Sequence, residues 1–299
     1  MAAVIGCSGW SYDDWVGRFY PRELTAKKGE WFSYYSKYFP TVEINSTFYR
    51  VPNEHTVRSW IEKGRSRPGF QFSIKLPQMI THDSMVKDAP EKAVALASSF
   101  EDLCVKPLAE ASVLGGVLVQ LSPYFRYEGA GSLGKLRSLF QMLETGTFDY
   151  AVEFRHRSWL NDRGNELASD ALETLQEFGV ANVIVDGPGF PITRSITAEH
   201  AYVRLHGRNY DIWFKDEGDD DYRLNRYDYL YSTELLSSWK PRIEEIVDNC
   251  DRTRVYFNNH GRAKAVKNAF QMMDLIGIPH ESKEVDLQDQ MTLGGFDRY

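Results

Sequence analysis

The sequence predicts an α/β protein, a single-domain TIM (β/α)8 barrel with an extended loop after its seventh strand. Short segments rich in β-branched and aromatic residues alternate with longer segments of helical periodicity along the chain. Eight strand candidates arise, nearly all separated by helices, and this alternation is typical of parallel strands joined by right-handed crossovers. Each strand candidate also becomes polar at its carboxyl end, where such a barrel carries its functional site.

A doubly wound parallel sheet would show the same alternation, and two features distinguish it from a barrel. Such a sheet usually has a GxGxxG phosphate turn after its first strand, whereas this chain reads GCSGWS there. An ordinary sheet also does not need polar ends on every strand. We therefore interpret residues 1–299 as one barrel domain, in which residues 208–231 form a long aromatic and acidic loop at the rim.

The strand candidates are short, and each is apolar in its body. In chain order they are Val4–Cys7, Thr41–Ile44, Phe70–Lys75, Gly116–Leu121, Tyr150–Phe154, Ala181–Val185, Ala201–Leu205 and Arg254–Phe257. A tryptophan-rich loop, Ser8–Tyr20, follows the first of them.

The segments between these strands carry apolar residues at helical spacing, with one exception. The predicted helices are Glu30–Tyr38, Thr56–Lys63, Pro90–Leu108, Leu133–Leu143, Glu166–Phe178, Glu234–Asn249 and Ala263–Ile276. Between the sixth and seventh strands the chain has the glycine- and proline-containing loop Gly187–Pro191 and little helical pattern before His200. This crossover is therefore predicted to lack a regular helix.

Charge and composition exclude several classes of protein. Lys and Arg total 35 against 42 Asp and Glu, a net charge of −7, so we expect no extended duplex nucleic acid as a partner. No apolar run approaches the ~18–20 residues of a membrane span, and no leader precedes Cys7, so we expect a cytoplasmic protein. The 3 cysteines form no CxxC pair and indicate neither a disulfide framework nor a zinc ribbon.

Charged side chains at the strand ends are the candidate functional residues. Because side chains alternate along a strand, residues two apart share a face. Three pairs point the same way on this basis: Glu43 with Asn45, Glu153 with Arg155, and Arg204 with His206. Their strand neighbours are apolar, which places the charged set inside the rim, where unpaired charge is costly. Glutamates that only neutralise arginines would give the same pattern, so a structural interpretation stays open beside the catalytic one.

The balance of charge at the predicted rim favours an anionic ligand. The charged residues there are Glu43, Glu153, Asp186, Lys75, Arg155 and Arg204, with His206 able to titrate near neutral pH. Three cations disfavour a bare divalent-metal site, and arginine binds phosphate or carboxylate with two hydrogen bonds. We therefore predict no metal and a small anionic ligand. Asp186, His206 and His260 would supply the ligands in an alternative, a metal-dependent nuclease or isomerase.

Aromatic residues crowd the loops after the first, second, fifth and seventh strands. Most are expected to pack these loops against the barrel, whereas Trp10 and Trp159 lie close to polar strand ends and could stack on a base or sugar. These two residues define another alternative, in which the rim is a non-catalytic module that binds a nucleotide or single-stranded nucleic acid.

Segments spread from the first strand to the last carry a resemblance to a known family. They are Gly6–Trp10, Glu43–Tyr49, Glu153–His156 with Ser158–Trp159, Arg204–Gly207, Tyr227–Ser232 and Tyr256–Asn259. Together they resemble the YecE-like family (domain of unknown function 72). The resemblance implies a TIM barrel and supplies no reaction. A histidine-kinase label sometimes given to members is rejected, because the chain has no kinase phosphate loop. The chain departs from the family at Ala263, where a glycine is usual, and has Gly261 earlier.

These observations together predict an enzyme that acts on an anionic, phosphate-bearing substrate by general acid–base chemistry, a hydrolase or lyase. The predicted catalytic residues are Glu43, Glu153, His206 and Asp186. The predicted substrate-binding residues are Trp10, Asn45, Lys75, Arg155, Trp159, Arg204, Asn258 and Asn259. In this hypothesis the lysine and arginines bind the anion, a glutamate is the base and His206 exchanges a proton. The residues indicate no particular cofactor, and the oligomeric state stays open.

Overall fold

The computed structural model describes residues 3–87, 89–213 and 225–287 and contains a closed barrel of parallel strands. The strands are β1 (Val4–Ser8), β2 (Thr41–Ile44), β3 (Gln71–Lys75), β4 (Leu114–Gln120), β5 (Tyr150–Glu153), β6 (Ala181–Asp186), β7 (His200–Leu205) and β8 (Arg252–Phe257). Each strand pairs with the next one in the chain, and β8 pairs with β1 to close the ring. The predicted TIM barrel is confirmed. Residues 214–224 of the predicted rim loop lie outside the described residues.

Helices surround the barrel on its outer side. The α-helices are Lys28–Tyr35, Ser46–Tyr49, Glu54–Arg65, Pro90–Phe100, Lys106–Glu110, Ala130–Met142, Ser169–Glu177, Tyr210–Trp213, Thr233–Asn249 and Lys264–Leu275. Two of them begin at a polar cap: Asn53 accepts a hydrogen bond from the backbone of Thr56, and Ser232 accepts one from Leu235. In the part of the chain that is described, no helix is both long and apolar enough to cross a membrane.

The predicted helix Pro90–Leu108 is not continuous. A π-helical turn, Glu101–Val105, separates Pro90–Phe100 from Lys106–Glu110. Pro107 has no backbone N–H and so cannot continue the regular ladder of hydrogen bonds across this point. The turn also places the buried Glu101 carboxylate 2.6 Å from the Tyr150 hydroxyl, which donates a hydrogen bond to it.

The crossover from β6 to β7 has no helix, as predicted. Side chains hold this loop on the barrel instead. The backbone N–H of Asn182 donates to the Thr197 hydroxyl at 2.8 Å, and its side-chain amide donates to Thr193 at 3.0 Å. The Glu166 carboxylate accepts from the backbone N–H of Arg194 at 2.7 Å.

The alternation of side chains divides each strand into an inner and an outer set. The outer set joins a large core with the helices and with the loop after β1, where Trp15, Phe19 and Tyr20 are buried. The inner set forms a smaller apolar layer in the barrel: Leu118, Ala151, Ala181, Val183, Val185, Tyr202 and Tyr256. Toward the carboxyl ends of the strands, polar and charged side chains follow this layer along the axis.

Candidate active site at the carboxyl ends of the strands

A buried arginine on β7 connects two buried glutamates across the barrel. Arg204 donates through Nη2 to Glu43 Oε1 at 2.7 Å and through Nη1 to Glu153 Oε2 at 2.5 Å. The other oxygen of Glu43 accepts from the Tyr202 hydroxyl at 2.7 Å, and Ser8 donates to its Oε1, also at 2.7 Å. Glu43 therefore has a full set of partners and no exposed surface.

Both glutamates are held in the ionised form. Burial opposes this and raises the pKa of each carboxyl, but the nearby guanidinium groups outweigh it. Arg204 brings the pKa of Glu43 below its ordinary value, and Arg155 together with Arg204 brings the pKa of Glu153 well below it. Arg155 forms a direct ion pair with Glu153 and is the more accessible arginine, with 19 % of its side chain exposed.

Three cationic side chains point donors at one neutral oxygen. Gln120 Oε1, at the end of β4, lies 2.9 Å from Lys75 Nζ, 3.1 Å from Arg155 Nη2 and 3.5 Å from Arg204 Nη1. An amide oxygen is a weaker acceptor than a carboxylate or phosphate oxygen for such donors. Gln120 is also partly exposed, whereas Lys75 and Arg204 are buried.

Lys75 is the one buried lysine among the described residues. Its Nζ lies 3.9 Å from the centre of the Phe48 ring, and its hydrogen bond goes to the amide oxygen of Gln120. Burial, and secondly the charge of Arg204, lower the pKa of Lys75 from 10.5 to about 7. An amine in this environment exchanges a proton near neutral pH.

His206 lies next to the same arginines and is held neutral. Its Nε2 is 3.3 Å from a guanidinium nitrogen of Arg155 and of Arg204, and the Asn258 amide lies 2.8 Å from Nδ1. Burial, followed by the charge of Arg204, lowers the pKa of His206 to about 4. The structure thus brings seven predicted site residues together: Glu43, Lys75, Glu153, Arg155, Arg204, His206 and Asn258.

Two predicted residues lie on the outer side of the barrel instead. Asp186 follows the inward-facing Val185, so its carboxylate points outward, where Arg208 binds it with two hydrogen bonds of 2.7 Å and Trp239 donates to it at 2.8 Å. Asn259 points outward too and donates to Asn268 at 2.8 Å. The period of two places both side chains away from the cluster.

The predicted aromatic contacts do not form a ligand sandwich. Trp159 is buried, donates to the Phe125 carbonyl at 2.9 Å and stacks on that ring, so no face of it is open to a base. Trp10 packs against Phe32 and Phe72 and is partly buried. Both tryptophans therefore pack loops against the barrel. Asn45, just past β2, is partly buried and accepts a backbone hydrogen bond from Phe48.

The three residues named as possible metal ligands each contact a different partner and do not form one site. Asp186 is bound by Arg208, His206 contacts Asn258, and the His260 ring is stacked between Tyr12 and Tyr227. Across residues 3–87, 89–213 and 225–287, no three His, Cys, Asp or Glu side chains are grouped as a metal-ion site would need.

Some residues of the cluster were not predicted as site residues. Gln120 and Tyr202 are both detectable from alternation, because each lies two residues from an inward-facing neighbour in its strand. His82 is different, since it comes from a π-helical turn, Met79–Ser84, that has no clear pattern in the sequence. Its ring packs edge-on against Phe48, and burial, followed by the charge of Lys75, lowers the pKa of His82 to about 4.

The turn after β8 shows what the departure at Ala263 costs. Arg262 and Ala263 have φ of 52° and 59°, in the left-handed region where a non-glycine residue costs about 1–2 kcal/mol. A glycine at position 263 would avoid this cost. Gly261 is required for another reason, because a Cβ there would lie 2.8 Å from the Asp228 backbone.

Comparison with known proteins gives a consistent assignment. The family model "Protein of unknown function DUF72" matches residues 4–291. The chain is similar to the UPF0759 protein YunF of Bacillus subtilis, 26 % identical over 294 residues that cover 95 % of this chain and 99 % of that protein. It is 24 % identical over 257 residues to the UPF0759 protein YecE of Escherichia coli, which covers 79 % of this chain and 81 % of YecE.

Solved structures agree with this. A crystal structure of a DUF72 family protein from Thermotoga maritima matches with a TM-score of 0.77 and 32 % identity over 93 % of this chain and all (100 %) of that one. A second, from Enterococcus faecalis, has a TM-score of 0.74 at 22 % identity, covers 95 % of this chain and 100 % of its own, and shows the likeness in fold. The family resemblance is thereby confirmed, and the chain belongs to the DUF72 family.

Proposed function

We propose that this protein is an enzyme that binds an anionic, phosphate-bearing substrate at the carboxyl ends of the barrel strands and transforms it by general acid–base chemistry. The observation that carries the proposal is the convergence of Lys75, Arg155 and Arg204 on the single amide oxygen of Gln120. An anionic oxygen at this place would receive the charge-assisted hydrogen bonds that Gln120 accepts only weakly.

The sum of charges supports the same class of ligand. With Asp186 outside the cluster and bound to Arg208, three cations (Lys75, Arg155, Arg204) face two carboxylates (Glu43, Glu153). With Lys75 protonated the cluster has one net positive charge, and His206 adds none because its pKa is about 4, lowered mainly by burial. A buried site with excess positive charge favours a bound anion.

The residues differ in the roles that their surroundings allow. Arg204 and Glu43 are buried and bind each other directly, so they act as positioning residues. Arg155 is the partly exposed arginine of the cluster, so its guanidinium can bind the anion. Lys75 takes over the proton exchange first assigned to His206, because burial brings the pKa of Lys75 to about 7. Glu153 forms the ion pair with Arg155 and holds that guanidinium in place, while the amine of Lys75 acts as the base.

Ligand binding should appear as thermal stabilisation by inorganic phosphate and glycerol 3-phosphate but not by glycerol. A ligand that binds only the folded state adds about 2.7 kcal/mol to the free energy of unfolding at a concentration of 100 Kd. Arg155→Met should remove this gain, because it removes the accessible guanidinium. The measurement is the unfolding midpoint against ligand concentration.

Arg137→Met is the matched control, since Arg137 is paired with Glu177 on the outer helices and should leave the gain intact. Equal stabilisation of the wild type and the Arg155→Met variant would contradict the assignment of the anion site. Turnover is then sought with the ligands that bind, where Lys75→Arg should slow consumption by roughly 10²-fold or more.

A further inference from the structure

We propose that Lys75 is also a nucleophile, and that the substrate is an anionic carbonyl compound with which its amine forms a Schiff base. The inference rests on the proposed function for the anionic group, which Arg155 holds. It adds the chemical class of the reacting group and a covalent role for a residue whose role predicted from the sequence is anion binding alone.

The position of Lys75 separates it from an ordinary ion-pairing lysine. Lys75 is 6 % exposed, and its side chain faces the barrel axis at the end of β3 with no described carboxylate within ion-pair distance. Its Nζ is in contact with an aromatic face, Phe48, and with a neutral amide oxygen, Gln120. A structural lysine buried at such cost would be expected to pair with one of the two glutamates, yet both are bound by arginines instead.

Burial of the amine disfavours its protonated form. The charge of Arg204 acts in the same direction, while Glu153 and Glu43 oppose it and each outweighs the smaller repulsion from Arg155. The His82 ring packs on the same Phe48 side chain as Lys75, and its pKa is lowered to about 4 by burial and by the charge of Lys75, so it adds no charge near pH 7. Burial together with Arg204 leaves Lys75 with a pKa of about 7, and about half of it is then a free amine at neutral pH.

The covalent step balances without a further reagent. The lone pair of Nζ forms a bond to the carbonyl carbon, the C=O π electrons move to oxygen, and that oxygen takes the proton that the nitrogen releases. The resulting carbinolamine takes one proton from solvent and loses its hydroxyl as water while the nitrogen lone pair completes the C=N bond. The product is a cationic iminium, and the arginine donors beside Gln120 stabilise the oxyanion that develops on the way.

Reductive trapping tests the inference with the full chain. The protein is incubated at pH 7 with dihydroxyacetone phosphate and sodium cyanoborohydride, which reduces the iminium to a stable secondary amine. Peptide mass spectrometry then gives the labelling rate of each lysine. We expect Lys75 to be labelled at least about tenfold faster than Lys92, an exposed lysine on the helix Pro90–Phe100. Equal rates at the two lysines would overturn the inference.

Two comparisons separate this inference from the proposed function. Dihydroxyacetone, the same ketone without the phosphate, should label Lys75 at least about tenfold more slowly. Equal rates with both ketones would keep the Schiff base and overturn the anion site. Thermal stabilisation by dihydroxyacetone phosphate without an adduct would keep the anion site and overturn the Schiff base. Lys75→Arg keeps the positive charge and should abolish the adduct. The labelling rates of the wild type test the Schiff base by themselves, even if this variant does not fold.

Discussion

Replacing Arg204 by methionine should lower the free energy of unfolding by about 3–5 kcal/mol, because a buried ion network loses its central cation. Glu43 and Glu153 are both buried and both bind Arg204 directly. Without it, Glu43 keeps only the neutral donors Tyr202 and Ser8. Urea unfolding of the variant and the wild type, followed by circular dichroism, measures the loss.

A second substitution identifies the cause of that loss. Glu43→Gln in the Arg204→Met background removes the uncompensated carboxylate, so the double variant should be more stable than the sum of the two single losses implies. Arg137→Met is the surface control, because 52 % of the side chain of its Glu177 partner is exposed, and should change stability by less than about 1 kcal/mol. An Arg204→Met loss no larger than this control would refute the network.

Changing Gln120 to glutamate should have the opposite effect on stability from Arg204→Met. It should raise the free energy of unfolding by roughly 1–3 kcal/mol at pH 7. The new carboxylate would lie where Lys75, Arg155 and Arg204 already direct their donors, and so would take the place of the bound anion. Its folded-state pKa should fall below the unfolded value. The gain is therefore present above the unfolded pKa and is lost as the pH falls through the folded one.

Ligand binding and a control complete this prediction. The Gln120→Glu variant should no longer be stabilised by phosphate, because its own carboxylate fills the site. Gln176→Glu, an exposed change on the helix Ser169–Glu177, should alter stability by less than about 0.5 kcal/mol. Destabilisation by Gln120→Glu, or phosphate binding equal to that of the wild type, would count against an anion site at this oxygen.

Much of the fold could be predicted from the sequence, because it follows from local patterns. Strand and helix periods give the alternation, and the polar strand ends give the barrel rim. The interruption of the predicted helix Pro90–Leu108 and the π-helical turn Met79–Ser84 could not be predicted in this way. Pro107 marks the position of the first interruption, but no repeating pattern in the sequence specifies the π-helical geometry of either turn.

The members of the site could be predicted where the alternation of side chains along the strands was used. The same period of two that pairs Arg204 with His206 also excludes Asp186 and Asn259, whose inner neighbours are Val185 and Asn258. The chemical difference between Lys75 and Arg155 could not be predicted, since it depends on which cation is paired with a carboxylate. That pairing is a property of the assembled barrel.

The titration of Lys75 tests the central claim most directly. Heteronuclear NMR of the lysine side chains, followed from pH 5 to 11 and assigned with Lys75→Arg, reports the protonation of each amine. Burial together with Arg204 predicts a pKa of about 7 for Lys75, and the exposed Lys92 serves as the internal reference. In the Gln120→Glu variant the midpoint of Lys75 should move upward. A Lys75 amine that stays protonated to pH 10 would contradict an unpaired, desolvated amine at this rim.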